Sequence, residues 1–231
     1  MKARIGKSYL EEIPHENGKR TFQYPAFRGT YGNVAEAIDK EGLKRPNSPE
    51  TASLVYDAFQ NRKGEYESEI IKILKDAWFW EFTGNIYLPK SNEEINNGVI
   101  LEHYPKITNG KLDMNKDSLI KRLRYNDSNV KFVPFGYKIG EQNLRELEKN
   151  PYIIARYGEE GAQKITEVAS KYKKNPKLWS FDSVDEEKAR ISALSGSWDL
   201  GRLGASLGVD GGWIDVVGGH AFGVCAPAKS E

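Results

Sequence analysis

Residues 200–225 read LGRLGASLGVDGGWIDVVGGHAFGVC, a glycine-rich stretch unlike the remainder of the chain. From Ala189 to Ala228 there is no Lys, Glu, Gln or Met, although the protein uses Lys and Glu freely elsewhere. Its plainest reading is a set of short strands and turns with Leu203, Val209, Val216 and Phe222 as inward anchors. That reading leaves unexplained why the intervening positions, which look exposed, avoid four common surface side chains.

The wider composition narrows the possibilities. A chain of 231 residues, 39% of them hydrophobic, can bury a real core as one large domain or one domain with an extension. Lys+Arg of 34 against Asp+Glu of 33 gives a net charge of +1, so there is no cationic field for phosphate backbones or anionic lipid, and no nucleic-acid partner is expected. The single cysteine, Cys225, excludes an intrachain disulfide and any multi-cysteine zinc site within the chain. Residues 1–18, MKARIGKSYLEEIPHENG, carry positive charge without an apolar stretch, and no apolar run approaches the roughly 20 residues of a spanning helix. Neither a signal peptide nor membrane insertion is expected.

Working back from the C-terminal segment, LWSFDSV (178–184) reads as a strand, and two helical patterns precede it. They are GEQNLRELEKN (140–150) and EEGAQKITEVASKYKKN (159–175), the second with Ile165, Val168, Ala169 and Tyr172 as one stripe and Asn175-Pro176 as its stop. Residues 90–138 are polar and punctuated by NNG, TNG and YNDSN, which suggests loops with few regular elements. In WFWEFTGNIYLP (78–89), Trp80 and Phe82, then Ile86 and Leu88, alternate around Thr83-Gly84-Asn85, predicting a hairpin or a bent strand at the centre of the core. A helix is expected from about Tyr66 to Ala77, with Ile70, Ile71, Leu74 and Ala77 inward. Another begins at Ser48-Pro49-Glu50, with Leu54, Val55, Ala58 and Phe59 inward. Residues 1–46, broken by Pro14, Pro25, Gly29 and Gly32, read as an N-terminal extension to a domain over 47–231. Helices first, an irregular middle and strands last point to an α+β domain.

Catalytic chemistry finds little support. GGHAFGVC places a histidine near a cysteine, as in cysteine hydrolases, but His220 and Cys225 are an odd number of residues apart and on one strand would face opposite sides. No second cysteine is available as nucleophile. GRLGASLG and VDGG lack the following helix that a phosphate cradle needs. His15, His103 and His220 form no ligand pair, and Asp199, Asp210 and Asp215 lack the dense oxygen spacing of a calcium loop. Glu159 and Glu160 are explained by the first turn of a helix. No cofactor and no metal are expected.

The restricted residue set itself is informative. NNC and NNT codons encode Phe, Leu, Ile, Val, Ser, Pro, Thr, Ala, Tyr, His, Asn, Asp, Cys, Arg and Gly, and, apart from Trp198 and Trp213, residues 189–228 fall in that set. The pattern resembles the variable region of a diversity-generating retroelement target protein, where adenines in template codons are randomised. SALSGSW (192–198) is similar to the GGSW-type motif of that family, and Gly219–Val224 to its closing strand. YLPKSNEEINNGVILE, PYIIARYGEEGAQKI and LWSFDSV look like variable proteins of archaeal and archaeal-virus retroelements.

The resemblance implies a loop-rich C-type-lectin-like fold of the formylglycine-generating-enzyme type, with short strands and flanking helices, and it implies ligand binding without chemistry. It casts Trp198, Leu203, Val209, Phe222, Gly196 and Gly219 as framework. The variable face, at about 195–224, is then Asp199, Leu200, Arg202, Ala205, Ser206, Leu207, Asp210, Gly211, Ile214, Asp215 and Val217, with Trp213 as aromatic anchor. The expected partner is a protein or glycan ligand on a target surface, with this chain displayed by a virion or a cell. The lectin calcium signatures Glu-Pro-Asn and Trp-Asn-Asp are missing. Two alternatives are an enzyme of the formylglycine-generating or cysteine-hydrolase class and a structural virion or surface subunit.

Overall fold

The computed structural model describes residues 3–4, 7–62, 64–199, 202–213 and 218–226, with backbone alone for 3, 4, 7, 197–199 and 202–205. The chain begins with β1 (Ala3–Arg4), β2 (Lys7–His15), β3 (Gly18–Tyr24) and β4 (Phe27–Gly29), then α1 (Tyr31–Lys40), α2 (Ser48–Gln60) and α3 (Glu65–Asp76). The centre comprises β5 (Trp78–Leu88), β6 (Gly98–His103), β7 (Lys106–Thr108), β8 (Lys111–Asp113), α4 (Lys116–Arg124) and β9 (Val130–Pro134). It closes with β10 (Gly140–Glu141), α5 (Leu144–Lys149), α6 (Pro151–Ala169), β11 (Lys177–Trp179), β12 (Lys188–Asp199), β13 (Arg202–Trp213) and β14 (Gly219–Ala221).

WFWEFTGNIYL forms the middle of the molecule as one continuous strand. Every residue of β5 except Trp78 is buried, because the strand has cover on both faces and neighbours on both edges. Its odd positions turn toward the helices α2, α3 and α6, with Phe79 and Tyr87 in the largest apolar cluster. Its even positions enter the opposite side, Trp80 and Phe82 against Tyr31, Val34 and Ile38 of α1, and Ile86 and Leu88 against Leu119 of α4. The Thr83-Gly84-Asn85 interruption is therefore not a hairpin. It is a register slip: Arg190 pairs with Asn85 but Ser192 with Glu81, so two residues of β12 answer four of β5. The even-odd alternation runs through it unbroken.

The main sheet runs β10-β11-β13-β12-β5-β14-β4, with β6 and β9 attached along the second half of β5. Helices on both faces of this mixed sheet give an α and β architecture with a sheet-rich core. Several strands are short, as expected, but those of the glycine-rich segment are not: β12 and β13 are each 12 residues long. Nor is the region 90–138 mainly loop, since it supplies β6, the β7–β8 hairpin, α4 and β9. Its short apolar runs, VILEH and VKFVP, suffice because they pair with each other beside β5.

Residues 8–46 are built into the same body rather than standing apart as an extension. β4 pairs with β14 at the sheet edge, α1 buries Val34 and Ile38 completely, and Phe22 of β3 is fully buried in the main core. The helix at Ser48 starts one residue earlier than Ser48 as cap would give. Asn47 is the cap, accepting from the Glu50 amide at 2.9 Å while Glu50 accepts from the Asn47 amide at 3.1 Å. Leu54, Val55, Ala58 and Phe59 line its buried face as the spacing predicts. In α6, Gly158 takes φ 72° and breaks the helix internally, so Glu159 and Glu160 do occupy the first turn of a restarted segment. That helix ends at Ala169, ahead of the Asn175-Pro176 stop. No described helix is long and apolar enough to cross a membrane.

Candidate functional site

The glycine-rich segment forms the β12–β13 hairpin and the strand β14. Along β12, residues Lys188 to Ser195 pair with β5, and on the outer edge of β13 only Gly208 to Asp210 pair with β11. Beyond those points, from Gly196 to Asp199 and from Arg202 to Leu207, the described strands pair with each other alone. The hairpin thus has a base inside the sheet and a distal ribbon.

The base is held from beneath by a buried polar network. Arg156, fully buried on α6, donates to the main-chain oxygens of Asp210 at 2.8 Å and Ala193 at 3.2 Å, and to the Glu81 carboxylate. Glu81 also accepts from Ser48 Oγ and Tyr157 OH, each at 3.1 Å. Burial pushes the Glu81 carboxyl up, and Arg156, Tyr157 and Ser48 pull it back. Beside this pair, Tyr152 OH donates to Asn85 Oδ1 at 2.7 Å, Asn85 Nδ2 donates to Ser192 Oγ at 2.9 Å, and Tyr87 OH donates to the Gly211 carbonyl at 2.8 Å. Side chains from β5 and α6 thereby fix the backbone of β12 and β13 at the Ala193, Asp210 and Gly211 carbonyls, with one further bond to the Ser192 hydroxyl. Removing one member of such a network leaves buried charge or dipole unpaired, which is far costlier than the net gain from making it.

The predicted variable positions separate sharply. Ser206 and Leu207 are fully buried, Asp210 is 5% exposed and Gly211 is buried, so these four are not on an exposed face. Leu207 belongs to the main apolar cluster, reached because β12 and β13 pass beneath α3. At Gly211 a β-carbon would stand 2.9 Å from Tyr152 Cζ and overlap its hydroxyl, so the position accepts no side chain without displacing Tyr152. The Asp210 carboxylate turns back to accept from the Gly212 amide at 2.9 Å, and burial raises its pKa to about 6. It is a brace for the last residues of β13, Gly211–Trp213. Trp213 is half-buried, its ring 4.6 Å from that of Trp78, itself stacked on Trp80.

For Asp199, Arg202 and Ala205 the backbone alone is described, on the distal ribbon, and Leu200, Ile214, Asp215 and Val217 lie outside the described residues. Among the expected framework residues, Val209 and Phe222 are fully buried, and Gly196 and Gly219 are buried. The need for glycine at 219 is steric, since a β-carbon there would meet Trp80 Cε2 at 2.5 Å. The side chains of Trp198 and Leu203 are not described, and Val216 lies outside the described residues.

The histidines weighed from sequence for catalysis or metal binding lie on three separate strands, β2, β6 and β14. The described residues hold no cluster of three His, Cys, Asp or Glu side chains placed for a metal ion. His15 contacts Ser53 Oγ at 3.0 Å and His103 contacts Thr83 Oγ1 at 2.9 Å, while His220 is on β14, which ends at Ala221, short of Cys225. The Asp210 carboxylate is engaged by the Gly212 amide within β13.

The network residues Glu81, Asn85, Tyr87, Tyr152 and Arg156 escape a motif search. The signal available was a lone charge in each of two apolar stretches, Glu81 in WFWEF and Arg156 in YIIARY. A buried charge calls for an opposite partner, and these two are each other's.

No protein-family model matches the chain, and no curated protein or solved structure is detectably similar to it.

Proposed function

We propose that this is a ligand-binding protein whose C-terminal segment has been diversified by a retroelement, on a C-type-lectin-like scaffold of the formylglycine-generating-enzyme type. The observation that carries this reading is the residue census from Ala189 to Ala228, which lacks Lys, Glu, Gln and Met while the rest of the chain is rich in Lys and Glu. The partner is a protein or glycan on the surface of a target virus or cell.

Burial refines which positions can be varied. A site that accepts many side chains must be decoupled from the core, where even a methylene change is felt. Ser206, Leu207, Asp210 and Gly211 fail that condition and join the framework. The diversified set becomes Asp199, Leu200, Arg202, Ala205, Ile214, Asp215 and Val217, with Trp213, whose codon is neither NNC nor NNT, as an aromatic anchor beside them. Arg156 supports this division, because it grips main-chain oxygens of Asp210 and Ala193 at the base of the hairpin, and neither residue is in the diversified set.

The DNA of the segment tests the reading. The expected result is NNC or NNT codons at the diversified positions and, beside a reverse-transcriptase gene, a near-copy of the segment differing only where the copy has adenine. Ordinary codon usage with no such copy would sink it. Natural variants provide a second check: substitutions should gather at the seven diversified positions above and spare Gly211.

A further inference from the structure

Three elements of the fold converge on one hydroxyl. Ser53, on the buried face of α2, accepts from the Lys164 ammonium of α6 at 2.9 Å and lies 3.0 Å from Nδ1 of His15, the last residue of β2. Lys164 also donates to the Pro14 carbonyl at 3.0 Å and pairs with Glu160 at 2.5 Å, so each of its protons has a partner. An ammonium can only donate, which leaves the Ser53 hydrogen for Nδ1 of a neutral His15. Ser53 is 2% exposed and His15 4% exposed. A buried hydroxyl with both neighbours engaged is a joint between hairpin and helices, not a nucleophile.

The other strand of the same hairpin holds the end of the glycine-rich segment. The Gln23 amide donates to the Gly223 carbonyl and the Cys225 amide to the Thr21 carbonyl, both at 2.8 Å, and Phe22 bridges to Val224. Val224 is bonded on its other side to Lys44 in both directions, at 2.8 and 2.9 Å. Residues 223–225 are thus gripped between the N-terminal hairpin and the strand-like stretch at Lys44.

We propose that the β2–β3 hairpin is a clasp, closed at neutral pH and released by acid through protonation of His15, that sets how firmly the C-terminal end of the variable segment is held. Protonation turns Nδ1 into a second donor against Ser53 and adds a buried cation beside Lys164. The charged groups facing His15 are Arg20 from β3 and Lys164 from α6, which oppose its protonation, and Glu50 from α2 and Glu16 from the turn, which favour it. Burial is the largest influence and, with Arg20, holds His15 below the ordinary imidazole range. Glu160 is engaged by Lys164 and supplies little relief. The docked hairpin therefore binds the proton less readily than the free one. Docking is at full strength above about pH 6.5 and weakens as pH falls below it, by at most about tenfold in the opening constant per pH unit for one proton.

Hydrogen exchange on the full chain, corrected for intrinsic rates, at about pH 7.5 and about pH 5 reads the clasp directly. Protection in residues 8–24 and 222–226 is expected to fall several-fold more than in β5. His15→Gln, which keeps an acceptor for Ser53 but does not titrate, should abolish that difference. Ser53→Ala should lower hairpin protection at both pH values. His103 and His220 are also held below the usual range by burial, so His103→Gln and His220→Gln should retain the hairpin response. An acid response equal in the hairpin and β5, or unchanged by His15→Gln, overturns the proposal. If His15→Gln does not fold, hairpin protection unaffected by Ser53→Ala at neutral pH overturns it equally.

Discussion

Tyr152 occupies the space that any side chain at position 211 would need. A β-carbon on Gly211 would sit 2.9 Å from Tyr152 Cζ, whereas one on Gly212 would meet nothing nearer than Phe181 Cε2 at 3.5 Å. Two adjacent glycines in the same strand therefore differ in what they tolerate. Gly211→Ala is expected to destabilise the protein by about 1–3 kcal/mol through overpacking, and Gly212→Ala to stay within about 0.5–1 kcal/mol. Denaturant unfolding of the two variants measures the gap, and equal losses would remove Tyr152 as the cause.

The Arg156 and Glu81 pair is fully buried on both sides. Arg156→Met would leave the Glu81 carboxylate without a cation in the interior and strip the Asp210 and Ala193 carbonyls of their donor. A cost of about 3–5 kcal/mol is expected. Arg156→Met with Glu81→Gln should cost clearly less than the sum of the single changes, because the second removes the uncompensated charge. Strict additivity in a double-mutant cycle would show the pair to be uncoupled.

Asp210 gives a pH signature of opposite sign to that of His15. Burial, resisted by the Gly212 amide and Arg156, raises its pKa to about 6 in the fold, above the ordinary carboxyl value. The folded state therefore holds this proton more tightly than the unfolded state. The contribution is full below about pH 4 and is lost as pH rises through about 6, on the order of 3 kcal/mol for a shift of this size. Asp210→Asn should remove that slope, so that the variant gains on the wild type between about pH 4 and pH 7. Unfolding free energies of both proteins across this range decide it, and parallel curves would show that Asp210 is ionised throughout.

Much of the fold was legible in apolar spacing, and the failures have identifiable causes. The inner face of α2 and the helix restart at Glu159 follow from periodicity and punctuation, because those signals are local. On α3, Ile70 and Leu74 are buried as expected, but Ile73 is buried in place of the half-buried Ile71, and Ala77 lies beyond the helix end at Asp76. β5 was readable as core but not as one strand: Gly84 sits within TGN, yet its closeness to Met114 Sδ, 2.6 Å from where a β-carbon would be, is a packing requirement that sequence presents as a turn. The N-terminal residues looked detachable because their partners, β14 and Gly223–Cys225, lie at the far end of the chain. Exposure in the glycine-rich segment was misjudged for Ser206, Leu207 and Asp210 because positions between the expected anchors Leu203 and Val209 and just beyond them were taken as surface. Their burial depends on α3 and α6 passing over β13, which no local pattern announces.

Phe22 and Val224 meet although roughly 200 residues separate them. During synthesis this contact is among the last that can form, and loop closure over such a separation is entropically unfavourable until the intervening sheet exists. The hairpin thus finds its seat only after β13 has been made and β14, the strand following it, has been correctly placed. A substitution that disrupts β13 or β14 would leave Phe22 and its neighbours uncovered near the other end of the polypeptide. In that sense the architecture carries its own inspection step, through which a damaged C-terminal segment becomes visible to proteolysis at a distant part of the chain.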